Sequence, residues 1–256
     1  MNKKEEMISF VESSLRLEGM NITSREKQTM LDCLNGKITY EHAIQTAINK
    51  YRKKTIMSSN LSYEYERDDY YCYPGSVVLK NKLNLLNEKE LSVAEREITG
   101  LKALEFLSNP YIEKLDFNYI KKLHRHLFSD IYKWAGEIRK IDISKGNIFC
   151  QHELIEVNAE ALFNQLDYEK YLVGLDEKMI IDRLATYLGD LNTIHPFREG
   201  NGRVQRLFIR ELARRIGYLI NFDGISNQEM IVASDSAFHY DYNPMIELIS
   251  KSIKKV

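Results

Sequence analysis

Apolar residues recur at helical spacing along most of the chain, which has only 12 glycines and 4 prolines to interrupt them. Within 180–191 the apolar positions fall on one face of an α-helix, and the same spacing returns at 204–212. The residues of these two patterns are Ile180, Ile181, Leu184, Tyr187, Leu188 and Leu191, then Val204, Leu207, Phe208 and Leu212. Comparable patterns predict helices at 94–108, 116–129, 154–166, 226–238 and 244–254. The sequence therefore predicts an all-α fold, mainly a helical bundle.

Two segments depart from this helical pattern. The stretch YYCYPGSVVLKNK at 70–82 sets aromatic and β-branched residues around a Pro-Gly turn, which predicts extended backbone. The stretch EIRKIDISKGNIFC at 137–150 alternates apolar and polar positions around a Lys-Gly-Asn turn. Such alternation on both sides of a glycine turn is typical of a β-hairpin. We therefore expect one small β-hairpin within the helical fold.

The first 54 residues form a separate unit by their pattern. They carry the periodicity of about three short amphipathic helices, and the pair Asn35-Gly36 ends one of them. A charged, serine-containing stretch, RKKTIMSSNLSY at 52–63, follows. We expect a helical module at 1–54, a linker at 55–64 and a larger domain at 65–256.

The net charge and the cysteines of the chain indicate which partners and which cellular compartment to expect. The net charge of −1 is unlike that of a duplex-DNA-binding protein, so we expect no direct nucleic-acid partner. Cys33, Cys72 and Cys150 form no CxxC pair, which indicates free thiols in a reducing compartment. The chain lacks both an apolar run of membrane-spanning length and the apolar segment of a signal peptide. These features indicate a cytoplasmic protein without a membrane partner, and export without a cleaved signal stays open.

The segment HPFREGNGRVQR at 195–206 concentrates chemically active side chains. Its glycine-containing turn at 199–202 precedes a predicted helix, whose first backbone N–H groups lack partners inside the helix. Glycines let a ligand approach such a helix N-terminus closely, which makes it an anion site suited to phosphate. Arg203 and Arg206 lie on one face of that helix and indicate more than one phosphate.

Two further side chains of this segment suggest a reaction. Glu199 offers a hard oxygen ligand for Mg²⁺ between phosphates. His195 can act as a general base near neutral pH. Together with the anion site, they favour attack of a hydroxyl on a nucleotide phosphorus. The alternatives are a plain glycine turn, a structural histidine, and a solvated helix face at Arg203 and Arg206.

The same segment matches HxFx(D/E)GNGRxxR, the signature of the Fic family, at every fixed position. IYKWAGEIRK at 131–140 and YYCYPGSVVLKNKLN at 70–84 also resemble this family, so the resemblance covers about residues 65–250. It implies a mostly helical fold and an enzyme that transfers AMP from ATP onto a Tyr, Ser or Thr hydroxyl of a protein.

The resemblance also implies a role for each residue of the motif. His195 would deprotonate the target hydroxyl, Glu199 would hold Mg²⁺ as a cofactor, and Phe197 would pack in the core. The phosphates of ATP would be bound by Gly200, Asn201, Gly202, Arg203 and Arg206. A subgroup of relatives that transfers phosphate carries lysine at the position of Gly202, so this glycine favours transfer of AMP.

In the Fic family, a hairpin like the one expected here is a flap over the active site. Its edge would pair with an extended segment of the target and place the target hydroxyl. The residues that would dock the target are Ser144, Lys145, Gly146, Asn147 and Ile148. The alternative is a hairpin with a structural role alone.

A second Glu-Gly pair lies near the N-terminus, in SLRLEG at 14–19. It matches (S/T)xxxE(G/N), the inhibitory pattern of regulated Fic proteins, which one branch carries on a small separate antitoxin. Ser14 and Glu18 would share one face of a helix at 4–18. The apolar stripe of this helix, which would dock on the enzyme, is Met7, Ile8, Val11 and Leu15. The resemblance implies that Glu18 pairs with Arg206 in place of an outer phosphate, and that 1–54 is an antitoxin-like module.

The resemblance leaves the target open. Relatives modify topoisomerase subunits or, inside host cells, small GTPases, so we expect a protein of one of these classes as the partner. Two other functions stay open as hypotheses. The same site could remove AMP from a modified protein, or the chain could be a non-catalytic nucleotide-binding scaffold, against which the intact motif argues.

Overall fold

The structure is a computed structural model that describes residues 2–53, 68, 70–145 and 147–256. Within these ranges the chain forms ten α-helices and two small antiparallel sheets of two strands each. The helices are α1 Lys3–Arg16, α2 Ser24–Leu34, α3 Tyr40–Tyr51, α4 Glu88–Ser108, α5 Phe117–Phe128, α6 Ile155–Tyr168, α7 Glu177–Ile194, α8 Asn201–Arg215, α9 Asn227–Phe238 and α10 Asn243–Ser252. The expected all-α fold with a small β-hairpin is confirmed. The linker expected at 55–64 lies outside the described residues.

Helical periodicity found the helices but misplaced some of their ends. The helix expected at 94–108 begins at Glu88. Asn87 caps it, because the Asn87 side chain accepts a hydrogen bond of 3.1 Å from the Glu90 amide. The first turns of α4 are polar, so the apolar pattern from which the helix was predicted starts later than the helix itself.

The helix expected at 244–254 ends at Ser252. The chain continues there as strand β4, Ile253–Lys255, which pairs antiparallel with strand β3, Tyr218–Ile220. The sequence patterns did not predict this sheet, because strands of three residues are too short to show a period of two.

The hairpin expected at 137–150 is present, but its paired part is short. Strand β1, Ser144–Lys145, pairs antiparallel with strand β2, Asn147–Ile148, and Ser144 lies opposite Ile148. The remaining residues on either side are bends and loops. The alternation of apolar residues therefore marked the hairpin but overstated the length of its strands.

The extended backbone expected at 70–82 is mostly turns, with one isolated antiparallel bridge between Cys72 and Leu79. The physical reason is the buried side chain of Asn81. It donates hydrogen bonds to the carbonyls of Leu79 (2.9 Å) and Leu85 (2.8 Å) and accepts one from the Leu85 amide (3.0 Å). A side chain thus satisfies backbone groups that a strand partner would otherwise pair.

Helices α7 and α8 lie at the centre of the core. α7 packs against α6, α8, α9 and α10, and α8 packs against α1, α5 and β3. The loop between α7 and α8 is also anchored in the core, because Phe197 is fully buried, as expected. In the part of the chain that the structure describes, no helix combines the length and apolarity needed to cross a membrane.

The first helix packs its apolar face against α4 and α8. The stripe Met7, Ile8, Val11 and Leu15 is buried, together with Phe10, which the predicted stripe did not include. On α4, a Cβ at Gly100 would lie 2.9 Å from Met30 Cε and 3.4 Å from Leu15 Cδ1. The close approach of these helices therefore depends on a residue without a side chain.

Helix α1 ends at Arg16, two residues before the end that the sequence predicted. Gly19 has a φ of +76°, and the Met20 amide donates a hydrogen bond of 3.0 Å to the Leu15 carbonyl. A left-handed glycine of this kind commonly terminates a helix. Glu18 consequently lies in the turn after α1, and the expectation that it belongs to the helix is wrong.

Several ion pairs join the N-terminal helices to the rest of the described chain, and two of them involve largely buried groups. Glu26 on α2 accepts a hydrogen bond of 2.8 Å from Arg96 on α4. Glu6 on α1 accepts two hydrogen bonds, of 2.7 and 2.6 Å, from Arg210 on α8, and the Arg210 guanidinium also lies 4.4 Å from the centre of the Phe10 ring. Helices α1–α3 are thus packed onto the larger part of the chain, and the division near residue 54 stays a prediction.

We expect Glu26→Ala to lower the free energy of unfolding by about 3 kcal/mol, because Arg96 would lose a largely buried carboxylate partner. Urea denaturation followed by circular dichroism measures this change. The matched control is Glu41→Ala at an exposed position of α3, for which we expect a change below about 0.5 kcal/mol. Equal effects of the two substitutions would contradict the prediction.

Candidate functional site

The candidate site is built around the loop between α7 and α8. His195 ends α7 in a left-handed conformation with a φ of 46°, and Gly200 precedes α8 with a φ of +80°. A Cβ at Gly200 would lie 2.1 Å from Cζ of Phe128. Both its backbone conformation and the space around it therefore require glycine at this position.

Asn201 holds this loop together. Its side chain accepts a hydrogen bond of 2.9 Å from the Phe197 amide and donates one of 2.7 Å to the Phe197 carbonyl. The side chain is buried and serves the loop in this structure. Its expected role at the phosphates stays a prediction, and the contacts explain independently why an amide side chain suits this position.

The imidazole of His195 is oriented by two neighbours. Nδ1 lies 3.1 Å from the carbonyl oxygen of Asn192, and since a carbonyl only accepts hydrogen bonds, Nδ1 carries the proton. Nε2 is then the nitrogen able to take up a proton. The ring of Phe149, which follows the hairpin, stacks on the imidazole with centroids 3.8 Å apart. This geometry suits a general base at Nε2.

A second histidine, His124 on α5, contacts the loop between α7 and α8. Its Nδ1 accepts a hydrogen bond of 2.8 Å from the Gly136 amide, so Nε2 carries the proton and donates to the Glu199 carbonyl at 3.0 Å. Its ring stacks on Phe197, with centroids 3.9 Å apart. Burial, assisted by the charge of Arg203, lowers the pKa of His124 to about 3. His124 is therefore a neutral structural residue that positions the backbone of Glu199.

The side chain of Glu199 is partly exposed, with 41% of its surface accessible. Its Oε1 accepts a hydrogen bond of 2.9 Å from the Gly200 amide and lies 3.4 Å from Arg203 Nη2. Desolvation by the surrounding atoms raises the pKa of Glu199, the nearby carboxylates Glu95 and Glu18 raise it further, and Arg203 opposes them. Within the described ranges, no group of three or more His, Cys, Asp or Glu residues is arranged to hold a metal ion by itself.

Arg203 and Arg206 are both buried, with 4% of each residue exposed, so the alternative of a solvated helix face is wrong. Arg203 donates hydrogen bonds to Glu95 on α4 and, at 3.2 Å, to Thr99. Its Nε lies 2.8 Å from Glu18 Oε2. Burial alone would lower the pKa of Arg203, but Glu18 and Glu95 raise it above its usual range.

Arg206 is held by the N-terminal segment. It donates hydrogen bonds to the Ser14 hydroxyl (2.9 Å), to the Ser14 carbonyl (2.8 Å) and to Glu18 Oε1 (2.5 Å). Burial lowers the pKa of Arg206, and the Glu18 carboxylate counteracts this change. The structure thus brings Ser14 and Glu18 together with Arg206, across about 190 residues of sequence.

Gly202 makes room for this arrangement. A Cβ at this position would lie 2.7 Å from Glu18 Oε1 and 2.7 Å from Arg206 Nη1. Any larger residue there would displace the Glu18 carboxylate or the Arg206 guanidinium. The sequence led us to expect Gly202 to bind phosphate and to favour transfer of AMP over phosphate, and it did not predict this contact.

Sequence reasoning missed Glu95 and assigned no role to His124. Glu95 is buried on α4, where it accepts hydrogen bonds from Arg203 and from the Tyr132 hydroxyl. The helical pattern of α4 gave one signal, because Glu95 falls between the apolar positions Leu91 and Ile98. A charged residue on an apolar, buried face needs a partner of opposite charge or a hydrogen bond, but the sequence does not identify that partner.

The hairpin lies beside the site and reaches α9. The Asn147 side-chain amide donates a hydrogen bond of 2.6 Å to Asp235, and 68% of Ile148 is exposed. Ser144 is exposed as well. The side chain of Lys145 and all of Gly146 lie outside the described parts of the chain, so the expected docking residues are only partly visible.

These groups combine an imidazole, a glycine-rich turn at the N-terminus of α8, a partly exposed carboxylate and two buried cations. The turn offers backbone N–H groups to an anion, and the arginines offer guanidiniums that pair with carboxylate or phosphate. Such a site can bind a polyphosphate and activate a hydroxyl beside it. In this structure the carboxylate of Glu18 contacts both arginines.

The model of the Fic/DOC family matches residues 114–213 of the chain. The "Probable protein adenylyltransferase Fic" of Escherichia coli strain K12 is 35% identical over 191 residues, which are 74% of this chain and 94% of that protein. Protein adenylyltransferase VbhT of Bartonella schoenbuchensis is 37% identical over 187 residues, or 73% of this chain and 39% of VbhT.

Solved structures show the same fold. The N-terminal Fic domain of a VirB-translocated effector from Bartonella quintana, with bound ADP, has a TM-score of 0.69 and 28% identity, and the match covers 73% of this chain and 95% of that one. A Fic-domain signalling protein from Bacteroides thetaiotaomicron has a TM-score of 0.58 and 17% identity, with 97% of this chain and 84% of that chain covered. The second match shows the fold alone. Because it covers 97% of this chain, it includes the N-terminal helices.

The buried His124 predicts a specific dependence of stability on pH. Its pKa falls from 6.5 to about 3 on folding, so between these values the unfolded chain binds one more proton than the folded chain. The contribution of neutral His124 to the free energy of unfolding is complete above pH 6.5. It decreases by about 1.4 kcal/mol per pH unit as the pH falls towards 3.

The measurement is urea denaturation between pH 4 and 7 on the unchanged chain and on His124→Gln, which does not titrate. We expect the variant to be less stable and its free energy of unfolding to depend less steeply on pH, by about 1.4 kcal/mol per unit. His42→Gln on the exposed surface of α3 is the control and should keep the original slope. Parallel slopes for all three proteins would refute the assignment.

Proposed function

Because the chain belongs to the Fic/DOC family, we propose that it is a protein adenylyltransferase that transfers AMP from ATP to a Tyr, Ser or Thr hydroxyl of a protein. The observation that carries this proposal is the position of His195 directly beside the glycine turn that opens α8. Relatives that share most of this chain are named protein adenylyltransferases, and a structure of the same fold holds ADP.

The proposed reaction uses His195 at one end of this loop and the glycine turn at the other end. Nε2 of His195 accepts the proton of the target hydroxyl, and the hydroxyl oxygen forms a bond to the α-phosphorus of ATP. The bond from the α-phosphorus to the oxygen that bridges to the β-phosphate breaks, and pyrophosphate leaves. The Gly202 N–H, and the Gly200 N–H once it leaves the Glu199 carboxylate to which it donates here, would bind phosphate oxygens and stabilise the charge that develops there.

The residues fit Mg²⁺ as a companion of the nucleotide. Mg²⁺ is usually held by one or two carboxylates together with phosphate oxygens and water. Glu199 provides one partly exposed carboxylate beside the phosphate turn. When bound there, the ion would neutralise charge on the phosphates, while Glu199 fixes its place.

Repression by Glu18 belongs to the same proposal. A carboxylate that already pairs with Arg203 and Arg206 deprives the outer phosphates of both cations. ATP that lacks these contacts does not hold its α-phosphorus in line with the target oxygen, and misalignment costs on the order of 100-fold in rate. Residues 1–54 then act as an antitoxin-like module within the same chain.

The hairpin is the proposed place of the target. An extended segment of the target would pair with the edge near Ile148, which is exposed, and present its hydroxyl to His195. The residues proposed to take part are Ser144, Lys145, Gly146, Asn147 and Ile148. Topoisomerase subunits and small GTPases are the candidate targets, in a cytoplasmic setting that suits three free cysteines and a supply of ATP.

We expect His195→Ala to reduce labelling of proteins about 100- to 10,000-fold, because the general base is lost. The variant is made in a chain that also carries Glu18→Gly and is incubated with α-labelled ATP and a bacterial extract. Binding of ATP, measured by calorimetry, should stay within about threefold, since the phosphate contacts lie on α8. His42→Ala is the control for a remote histidine, and a normal labelling rate for His195→Ala would remove this residue from the mechanism.

Glu18→Gly alone should raise labelling by at least about 100-fold, because it frees Arg203 and Arg206 for phosphate. Glu18→Gln should activate less, since an amide can still accept hydrogen bonds from Arg206. Glu12→Gln changes a partly exposed carboxylate of α1 that pairs with Lys27, and it should leave labelling unchanged.

If Glu18→Gly labels no more than the unchanged chain, repression by this residue is wrong. Release of AMP from previously labelled proteins, without new labelling, would instead favour the removal reaction. Binding of ATP with neither activity would favour a non-catalytic scaffold.

A further inference from the structure

Arg139 is among the largest fully buried side chains of the described chain, and the roles assigned above do not include it. It follows α5 in the stretch that leads into the hairpin. A buried cation is costly unless its N–H donors are satisfied. Its nearest ion pair is weak, because Asp142 lies 3.7 Å from Nη1 and is itself bonded to His152.

Backbone carbonyls satisfy the guanidinium instead. On the side of α7, Nε donates to the His195 carbonyl at 2.8 Å, and Nη2 lies 3.4 Å from the Ile194 carbonyl. The Arg139 amide donates to the Pro196 carbonyl at 2.9 Å. One residue therefore binds three consecutive carbonyls, those of residues 194–196, at the end of the helix that carries the base.

The same guanidinium reaches both sides of the hairpin. Nη1 donates to the Ile141 carbonyl at 2.7 Å, ahead of β1, and Nη2 donates to the Cys150 carbonyl, after β2. The hairpin base is also tied to α7, because the Cys150 amide donates to the Thr193 carbonyl at 3.0 Å. Arg139 thus lies at the point where the entry and the exit of the hairpin meet the end of α7.

The end of a helix needs such a partner. The last carbonyls of α7 have no N–H donors within the helix, and a cation is favoured at the negative end of its dipole. His195 additionally adopts a left-handed backbone, which persists only where surrounding contacts hold it. Arg139 supplies such contacts directly on the His195 carbonyl.

We propose that Arg139 is a positioning residue that fixes the base His195 and the target-binding hairpin in one geometry. This inference rests on the proposed function. The hairpin presents the hydroxyl and His195 receives its proton, so the distance between them decides the rate. Because the Arg139 side chain is fully buried, it would act through these protein groups and not on a reacting atom. Arg139 fixes the end of α7 relative to the base of the hairpin through hydrogen bonds to five backbone carbonyls.

The planar guanidinium explains why this residue is arginine. Its N–H groups point in several fixed directions, so one side chain serves carbonyls on opposite sides. A lysine ammonium keeps the charge but is a compact group on a flexible stem and does not span the same set. Arg139→Lys therefore separates geometry from charge.

The experiment uses the full chain with Glu18→Gly, with and without Arg139→Lys. We expect kcat for labelling of extract proteins from α-labelled ATP to fall about 100-fold, with KM for ATP within about threefold. Hydrogen exchange at the amides of Phe149 and Cys150, which bond to Ile143 and Thr193, should become at least about tenfold faster.

The matched control is Arg183→Lys on the first half of α7. Arg183 is partly buried, pairs with Glu169 and lies far along the helix from His195. It should leave kcat and the exchange at Phe149 and Cys150 unchanged even if it lowers the melting temperature. All rates are compared at a temperature at which circular dichroism shows each protein folded. If Arg139→Lys does not fold, Arg139→Gln takes its place, with the same expectations.

An unchanged kcat in Arg139→Lys, or a loss explained entirely by a higher KM for ATP, would overturn the inference. Faster exchange throughout the chain would do so too, because it would show general destabilisation. If the parent with Glu18→Gly labels nothing, the proposed function fails. The exchange measurement then decides on its own whether Arg139 holds the hairpin to α7.

Discussion

The structure depends on the charge of two arginines that α8 places inside the protein. Arg203 and Arg206 are almost inaccessible to water, and a buried guanidinium is stable only when anions or carbonyls satisfy it. Glu95 lies on α4 and serves Arg203 from the body of the fold. Every hydrogen bond described for Arg206 goes to Ser14 or Glu18. The docking of the first helix is therefore tied to the electrostatic requirement of one side chain on α8.

Arg203 and Arg206 therefore have different roles in the proposed function, because their hydrogen-bond partners differ. Arg203 has two partners on α4, the Glu95 carboxylate and the Thr99 hydroxyl, that do not belong to the N-terminal segment. Arg206 relies on the N-terminal segment, and a phosphate offers the same kind of partner as Glu18. Competition between a side-chain carboxylate and a phosphate for one guanidinium is consequently the simplest physical basis for the proposed repression. Glu6 and Arg210 hold the same helix at its other end, away from the site.

The fold and the core of the site followed from local features of the sequence. Helical periodicity predicted the helices, because it reports which face of a segment is buried, and one error arose where the polar cap Asn87 extended a helix beyond its apolar pattern. The motif at 195–206 indicated the Fic family, and the family is confirmed. The pairing of Glu18 with Arg206 was expected only through that resemblance, because their distance in sequence excludes any local signal.

The sequence by itself determined the helical class, the glycine turn with its histidine, and the acidic residue near the N-terminus that resembles an inhibitor. Tertiary structure alone decided that Arg203 is shared by Glu95 and Glu18, that His124 supports the turn and that Arg139 joins His195 to the hairpin. Periodicity and motifs record what a residue does with neighbours in the chain. The partner of a buried polar group is chosen instead by which segments the fold brings within hydrogen-bonding distance.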